Sequence, residues 1–478
     1  MISARRLSLL ALTGIAIFSL VRLFDLPIQS FFSRFFVYGM LFSGTALFLY
    51  AVWQLSEAPP STTVGTLRKF PTVHAWDPLL SMRGLACVMV LMGHSVLIAF
   101  PPAALSQRLQ NSWKLWLMTA SPWTGVWIFF VLSGYLMGKG FYSGRYSADF
   151  YGIKAFFHNR ILRIVPLYIF VLLIVACIAH PEAFDLKNIR VLFHYLIFDF
   201  NGVHRTGSII DALWSISTEM QFYFLVPFVF IGVGEWTTFK NPMRAIALLV
   251  AVLSFGLIYR NVTLWFNVGG NDWVTYVYTP LIGNLDLFLC GFFLNPIIQF
   301  LRLRQKWVPH GVSVGIFILG AVYAVSAYAC AHGVLLSNAG WHRALFYVFP
   351  TATGILIAFT IALFELSRPI QTSEFHAVRW LVRATQIFGT LTYAIYVWHE
   401  PVYLAASTHF IPGSPLSSLL TMAFNIVKVL CIALLSYYLV ERPFEKIKIR
   451  GHLSAMDDAA SSSPVLGTAP SNLVHQKS

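Results

Sequence analysis

Apolar residues run along the chain in long blocks separated by short polar loops, a pattern unlike the strict alternation of a half-buried strand. A helix needs roughly 17–25 such residues to cross the hydrocarbon of a bilayer. Blocks of that length fall at 7–24, 35–53, 80–100, 123–140 and 164–180, then at 214–233, 243–259, 276–300, 310–330, 345–366, 388–407 and 416–440. They predict an all-α integral membrane protein of about twelve transmembrane helices. A shorter run, VLFHYLIFDF from Val191, cannot cross and is expected to lie at the interface or fold back inward.

Composition sharpens this picture. Of 478 residues, 57% are hydrophobic and 11% charged, against about 25% charged in soluble domains. That excludes a soluble α/β enzyme. A net charge of +14 would suggest nucleic acid in a soluble protein. Here the basic residues cluster in alternate loops, around Arg68, then Lys139 to Arg163, Lys240, Arg302, Arg379 and Arg442. Positive residues favour the cytoplasmic side, so both termini are expected inside and no nucleic-acid partner is implied. The run after Arg5 and Arg6 has no clear small-residue cleavage site and reads as a retained anchor. The chain divides into two N-terminal spans with a linker (1–76), a membrane domain (77–446) and a disordered cytoplasmic tail (447–478), with no fused soluble domain expected. Cys87, Cys177, Cys290, Cys330 and Cys431 all sit in apolar runs without a CxxC pair. They read as small buried hydrophobes rather than disulfides or metal ligands, and no metal site is expected.

Several ionisable residues nevertheless stand inside the apolar blocks, where each is costly. In RGLACVMVLMGHS, Arg83 and His94 are eleven positions apart, which is three turns plus about 20°, so both share one helix face about 16 Å apart along the axis. Packing against a neighbouring helix would also account for the histidine, and interface anchoring for the arginine. In WSISTEMQFYFLVP, Ser215, Glu219 and Tyr223 recur every four residues on one face, with Trp214 expected at the outer interface. In GTLTYAIYVWHEPVY, Thr392, Tyr396 and His399 share a face, and Glu400 points about 100° away. In HNRILRIVPLY, Arg160 and Arg163 stand one turn apart at a cytoplasmic entry, suited to phosphate and also to the positive-inside rule. There is no GxGxxG, Walker, HExxH or GxSxG pattern.

Together these segments, with GVWIFFVLSGY and VERPFE in the same order, resemble the acyltransferase-3 family of integral membrane acyltransferases, over about 77–446. The resemblance implies a core of ten helices, here with two N-terminal additions. It also implies transfer of an acyl group, most often acetyl, from cytoplasmic acyl-CoA to a hydroxyl of a cell-surface glycan or glycolipid such as O-antigen or exopolysaccharide. The bacterial cytoplasmic membrane is the implied location. Acyl-CoA is then a donor substrate, and no permanently bound cofactor is implied. By position, Arg83 and His94 match the family's essential pair and Glu219 its acidic residue. Two positions depart. Trp127 stands where many members have an acid, and Asn284 stands where many have an arginine two residues before the equivalent of Asp286.

Acyl transfer needs a base for the acceptor proton and stabilisation of the oxyanion at the thioester carbonyl. His94 is expected to be the base, with Glu219 or His399 orienting it or the acceptor, or a covalent acyl-histidine as the alternative. Arg83, Arg160 and Arg163 are expected to hold the CoA phosphates. Ser215, Tyr223, Tyr396, Trp127 and Asp286 are the expected substrate-binding positions. A transporter or flippase would use the same His94, Glu219 and His399 as a proton relay.

Overall fold

The computed structural model describes residues 76–99, 121–186, 188–200, 208–238, 240–266, 274–331, 340–367, 376–407 and 415–447. The expected spans at 7–24 and 35–53, and the tail, lie outside the described residues. The described residues form helices and connecting turns, with no strand among them. In chain order the helices are α1 (Pro78–Ala99), α2 (Pro122–Tyr142), α3 (Phe150–Ala179), α4 (Ile189–Leu196), α5 (Trp214–Val233) and α6 (Pro242–Phe266). There follow α7 (Leu281–Leu303), α8 (Gly311–Ala331), α9 (Gly340–Glu365), α10 (His376–Ser407), α11 (Pro415–Ser436) and the short α12 (Arg442–Glu445). Each expected span from 80–100 onward overlaps one of these long helices, although α3 begins at Phe150 rather than 164 and α10 at His376 rather than 388.

Nine segments among the described residues are long and apolar enough to cross a membrane. The chain is a multi-pass integral membrane protein. Helix α10 falls below that measure of hydropathy for a physical reason: Gln386, Thr390, His399 and Glu400 are turned into the bundle and buried. The lipid-facing helices show the opposite pattern, with Val250 and Ile258 of α6 and Phe317 of α8 exposed.

Two parallel helix pairs organise the interior. Helices α1 and α10 pack along their length, with Ser81 beside Thr385 at one end and His94 beside His399 at the other. Gly389 permits this approach, since a Cβ there would lie 2.1 Å from the Leu80 carbonyl oxygen. Helices α2 and α7 meet as closely, where a Cβ on Gly134 would lie 1.8 Å from the Phe288 oxygen. Small residues let membrane helices approach backbone to backbone, where packing replaces the hydrophobic effect as the driving force. At the basic end of the bundle, Glu365 of α9 accepts from Lys139 of α2 at 2.7 Å and pairs with Arg302 of α7.

The short run from Val191 forms α4, one side of which is exposed at Ile189, Phe193 and Leu196. Its buried Tyr195 accepts from the Ile209 and Ile210 amides, both at 3.1 Å, and so fixes the chain just before α5. Trp214 does not mark an outer interface. It is 5% exposed and packs against Phe130 and Tyr278, at ring distances of 6.1 and 4.5 Å, so α5 starts inside the bundle. The cysteines also divide: Cys87, Cys177 and Cys290 are buried, Cys330 is half-buried and Cys431 is exposed on α11. An apolar run faces lipid as readily as protein, which is why the run alone did not separate them.

Candidate active site

Helix α1 is unbroken from Arg83 to His94, so these two side chains belong to one rigid element. The parallel register with α10 brings His399 to His94, with Nε2 of the first 3.1 Å from Nδ1 of the second. The rings are 4.8 Å apart between centroids. Nδ1 of His399 lies 2.5 Å from the Tyr396 carbonyl oxygen. A carbonyl oxygen only accepts, so this nitrogen carries a proton, and in the neutral ring Nε2 is then an acceptor. His94 must therefore donate from Nδ1, which leaves its own Nε2 with a free lone pair. His94 also hydrogen-bonds the backbone of Val90, one turn earlier on α1.

One turn of α10 also clamps the start of α5. Glu400 accepts from the Ala212 amide at 2.5 Å, while the Tyr396 hydroxyl donates to the Ala212 carbonyl at 3.1 Å. Ser215 joins them, its Oγ 2.5 Å from the Tyr396 hydroxyl. A carboxylate at the N-terminal end of a helical segment is favoured by the peptide dipoles there. Further along α5, Glu219 accepts from Ser133 of α2 and from Tyr223. Of the two groups expected to orient His94, His399 is the one that touches it; the contacts of Glu219 are to Ser133 and Tyr223.

The arginines follow. Arg160 stacks over Tyr223, its guanidinium carbon 5.8 Å from the ring centre, and its buried Nε has no hydrogen-bond partner. Arg163 lies 3.5 Å from Glu445 of α12. Arg83 is half-buried on α1. Ser215, Glu219 and Tyr223 span about 12 Å of helix, so the polar groups form one seam from the histidine pair to the arginines.

The two departing positions lie on α2 and α7, and both meet Tyr278, which packs on Trp214. Trp127 is 3% exposed, edge-on to Tyr278 and Phe349. Asp286 is fully buried in an ion pair with Arg260 of α6 and accepts from Thr351 of α9 at 3.0 Å. Arg260 also donates to the Gly283 carbonyl at 2.7 Å. A guanidinium does face Asp286, but from another helix, and Asn284 instead donates to the Tyr278 carbonyl at 2.6 Å. Sequence reasoning passed over Arg260, which sits near the end of an apolar run like any interfacial anchor, and Ser133, one serine in an apolar helix. Neither carried a local signal.

The acyltransferase-3 family model, described as an acyltransferase domain, matches residues 79–440. The chain belongs to this family. The matched region holds both histidines, Ser133, Glu219 and both arginines of α3. Among curated proteins, the chain is 26% identical over 364 residues to the peptidoglycan O-acetyltransferase OatA of Listeria monocytogenes, covering 72% of this chain and 54% of that protein. It is 22% identical over 338 residues to the O-acetyltransferase OatA of Staphylococcus aureus, covering 67% of this chain and 52% of that protein. The chain thus spans about half the length of these relatives. No solved structure matches.

Proposed function

We propose that this protein is a membrane O-acetyltransferase that moves an acetyl group from cytoplasmic acetyl-CoA to a hydroxyl of a cell-envelope glycan, from within the bacterial cytoplasmic membrane. The observation that carries the proposal is the His94–His399 contact, because its partner pattern leaves His94 Nε2 as a free base. Family membership supports acyl transfer over transport. The names of the relatives set peptidoglycan beside O-antigen and exopolysaccharide as the acceptor class.

In this reading the acceptor hydroxyl gives its proton to His94 Nε2 as its oxygen attacks the thioester carbonyl carbon. The tetrahedral intermediate collapses, the C–S bond breaks, and the leaving thiolate takes the proton back from the imidazolium. His94 ends neutral and ready for the next cycle. His399 holds the ring throughout through the Nδ1–H bond. Arg160, with Arg83 and Arg163, binds the CoA phosphates; Arg163 exchanges Glu445 for phosphate as it does so. The span of about 16 Å from Arg83 to His94 suits an extended pantetheine arm, which keeps the nucleotide outside the hydrocarbon.

The test is release of free thiol from acetyl-CoA by protein in liposomes, with and without a cell-envelope glycan extract. His94→Ala should lower the rate by about 10²–10⁴, the range of a lost general base. Equal release by the wild type and a folded His94→Ala protein would remove His94 from the chemistry. Failure of the wild type to bind or cleave acetyl-CoA with extract present would favour transport.

A further inference from the structure

The histidine pair lies between two tyrosines of α10. Tyr396 precedes His399 by three residues, with ring centroids 5.3 Å apart. Tyr403 follows it by four, edge-on at 6.1 Å and 84°. Their hydroxyls differ in occupation. That of Tyr396 is taken up by Ser215 and the Ala212 carbonyl. Tyr403 is 1% exposed, and its hydroxyl is buried with no hydrogen-bond partner. Other interior tyrosines among the described residues, such as Tyr168, Tyr195, Tyr223 and Tyr393, have their hydroxyls bonded.

A buried hydroxyl without a partner costs about 1–3 kcal/mol, so a native interior keeps one where something else completes it. The chemistry beside it lacks one component. The Nδ1–H of His94 is used on His399, the Nδ1–H of His399 is used on a carbonyl, and Nε2 of His94 accepts the proton. The neutral pair therefore offers no N–H to the thioester carbonyl oxygen on which negative charge develops. Helical side chains lean toward the N-terminus of their helix, which tilts the Tyr403 ring back toward His399.

We propose that the Tyr403 hydroxyl donates a hydrogen bond to the acyl carbonyl oxygen and stabilises the oxyanion formed when the acceptor attacks. The proton stays on Tyr403 throughout, and no bond to the tyrosine is made. This assignment rests on the acyl-transfer proposal and adds to it a residue in contact with the reacting atoms.

The experiment compares wild type and Tyr403→Phe in liposomes, with acetyl-CoA and glycan extract, and measures kcat, the KM for acetyl-CoA and thermal unfolding. Loss of one oxyanion donor lowers kcat by about 10²–10³. The KM should stay within about twofold, since the donor's phosphates are bound elsewhere. Unfolding temperature should hold or rise, because the substitution removes a hydroxyl that has no partner in the resting protein. A purely structural tyrosine would lose stability and change kcat little. Wild-type kcat in Tyr403→Phe overturns the assignment alone. No turnover by the wild type overturns the acyl-transfer proposal and this assignment with it.

Discussion

His94 and His399 are both imidazoles, yet their hydrogen bonds divide the work between them. His399 is fully buried and has both ring nitrogens engaged. His94 is half-buried, bonded to His399 through Nδ1 and also to the Val90 backbone. On the proposed mechanism, removing His399 leaves the base in place, still bonded to the Val90 backbone, and takes away one of its partners. We expect His399→Ala to lower kcat less than His94→Ala does. A lost hydrogen bond of about 1–3 kcal/mol corresponds to about 5- to 150-fold in rate. Thiol release measured side by side for the two variants checks this; a larger loss for His399→Ala would make His399 the proton acceptor. Ser133 and Glu400 act at the same scale, the first bonding Glu219 of α5 and the second the Ala212 amide just before it.

Among elements, the α1–α10 pair sets the site, because the histidine contact is only as good as the register of two parallel helices. Gly389 holds that register by letting Leu80 approach it. Gly389→Ala places a Cβ 2.1 Å from the Leu80 oxygen, against a backbone that has no side-chain freedom to yield. Separation of the helices should abolish acetyl transfer even where the protein still inserts and folds. Gly232 of α5 serves as the comparison, since nothing lies within 4 Å of its virtual Cβ. Gly232→Ala should be neutral to slightly stabilising, given a helix preference for Ala over Gly of about 1 kcal/mol. Retained activity in Gly389→Ala would mean that the histidine contact is not needed at this spacing. Helix α5 links this pair to α3, its first turn held by α10 and its third approaching Arg160.

For the whole molecule, the Arg260–Asp286 pair joins α6, α7 and α9. Both side chains are buried, at 1% and 0% exposure. Breaking a buried pair from one side strands the other charge, at a cost of about 3–5 kcal/mol, whereas replacing both by apolar residues is often neutral. Arg260→Met alone should therefore lower the unfolding temperature sharply, and Arg260→Met with Asp286→Leu should recover most of it. Thermal unfolding in detergent measures both. Failure of the double variant to recover would assign the pair a role beyond holding helices together. Recovery of stability without recovery of acetyl transfer would support the expected substrate-binding role of Asp286.

The hydrophobic pattern alone was enough to determine that this is a helical membrane protein and where most of its long helices cross, though not the polar first turns of α3 and α10, which begin at Phe150 and His376. Blocks long enough to span a bilayer leave few alternatives once every backbone group must bond within its own helix. The ordered segments around Arg83, His94, Glu219 and His399 likewise led to the family, because each keeps its chemistry within a few residues. What only the tertiary structure decided concerns partners distant in the chain. His94 and His399 are 305 positions apart, and spacing on one helix says nothing about which other helix it faces. The same holds for Arg260 opposite Asp286, for Ser133 beneath Glu219, and for the free hydroxyl of Tyr403 beside the bound one of Tyr396. A periodicity records which face of a helix is polar; only packing determines what that face meets.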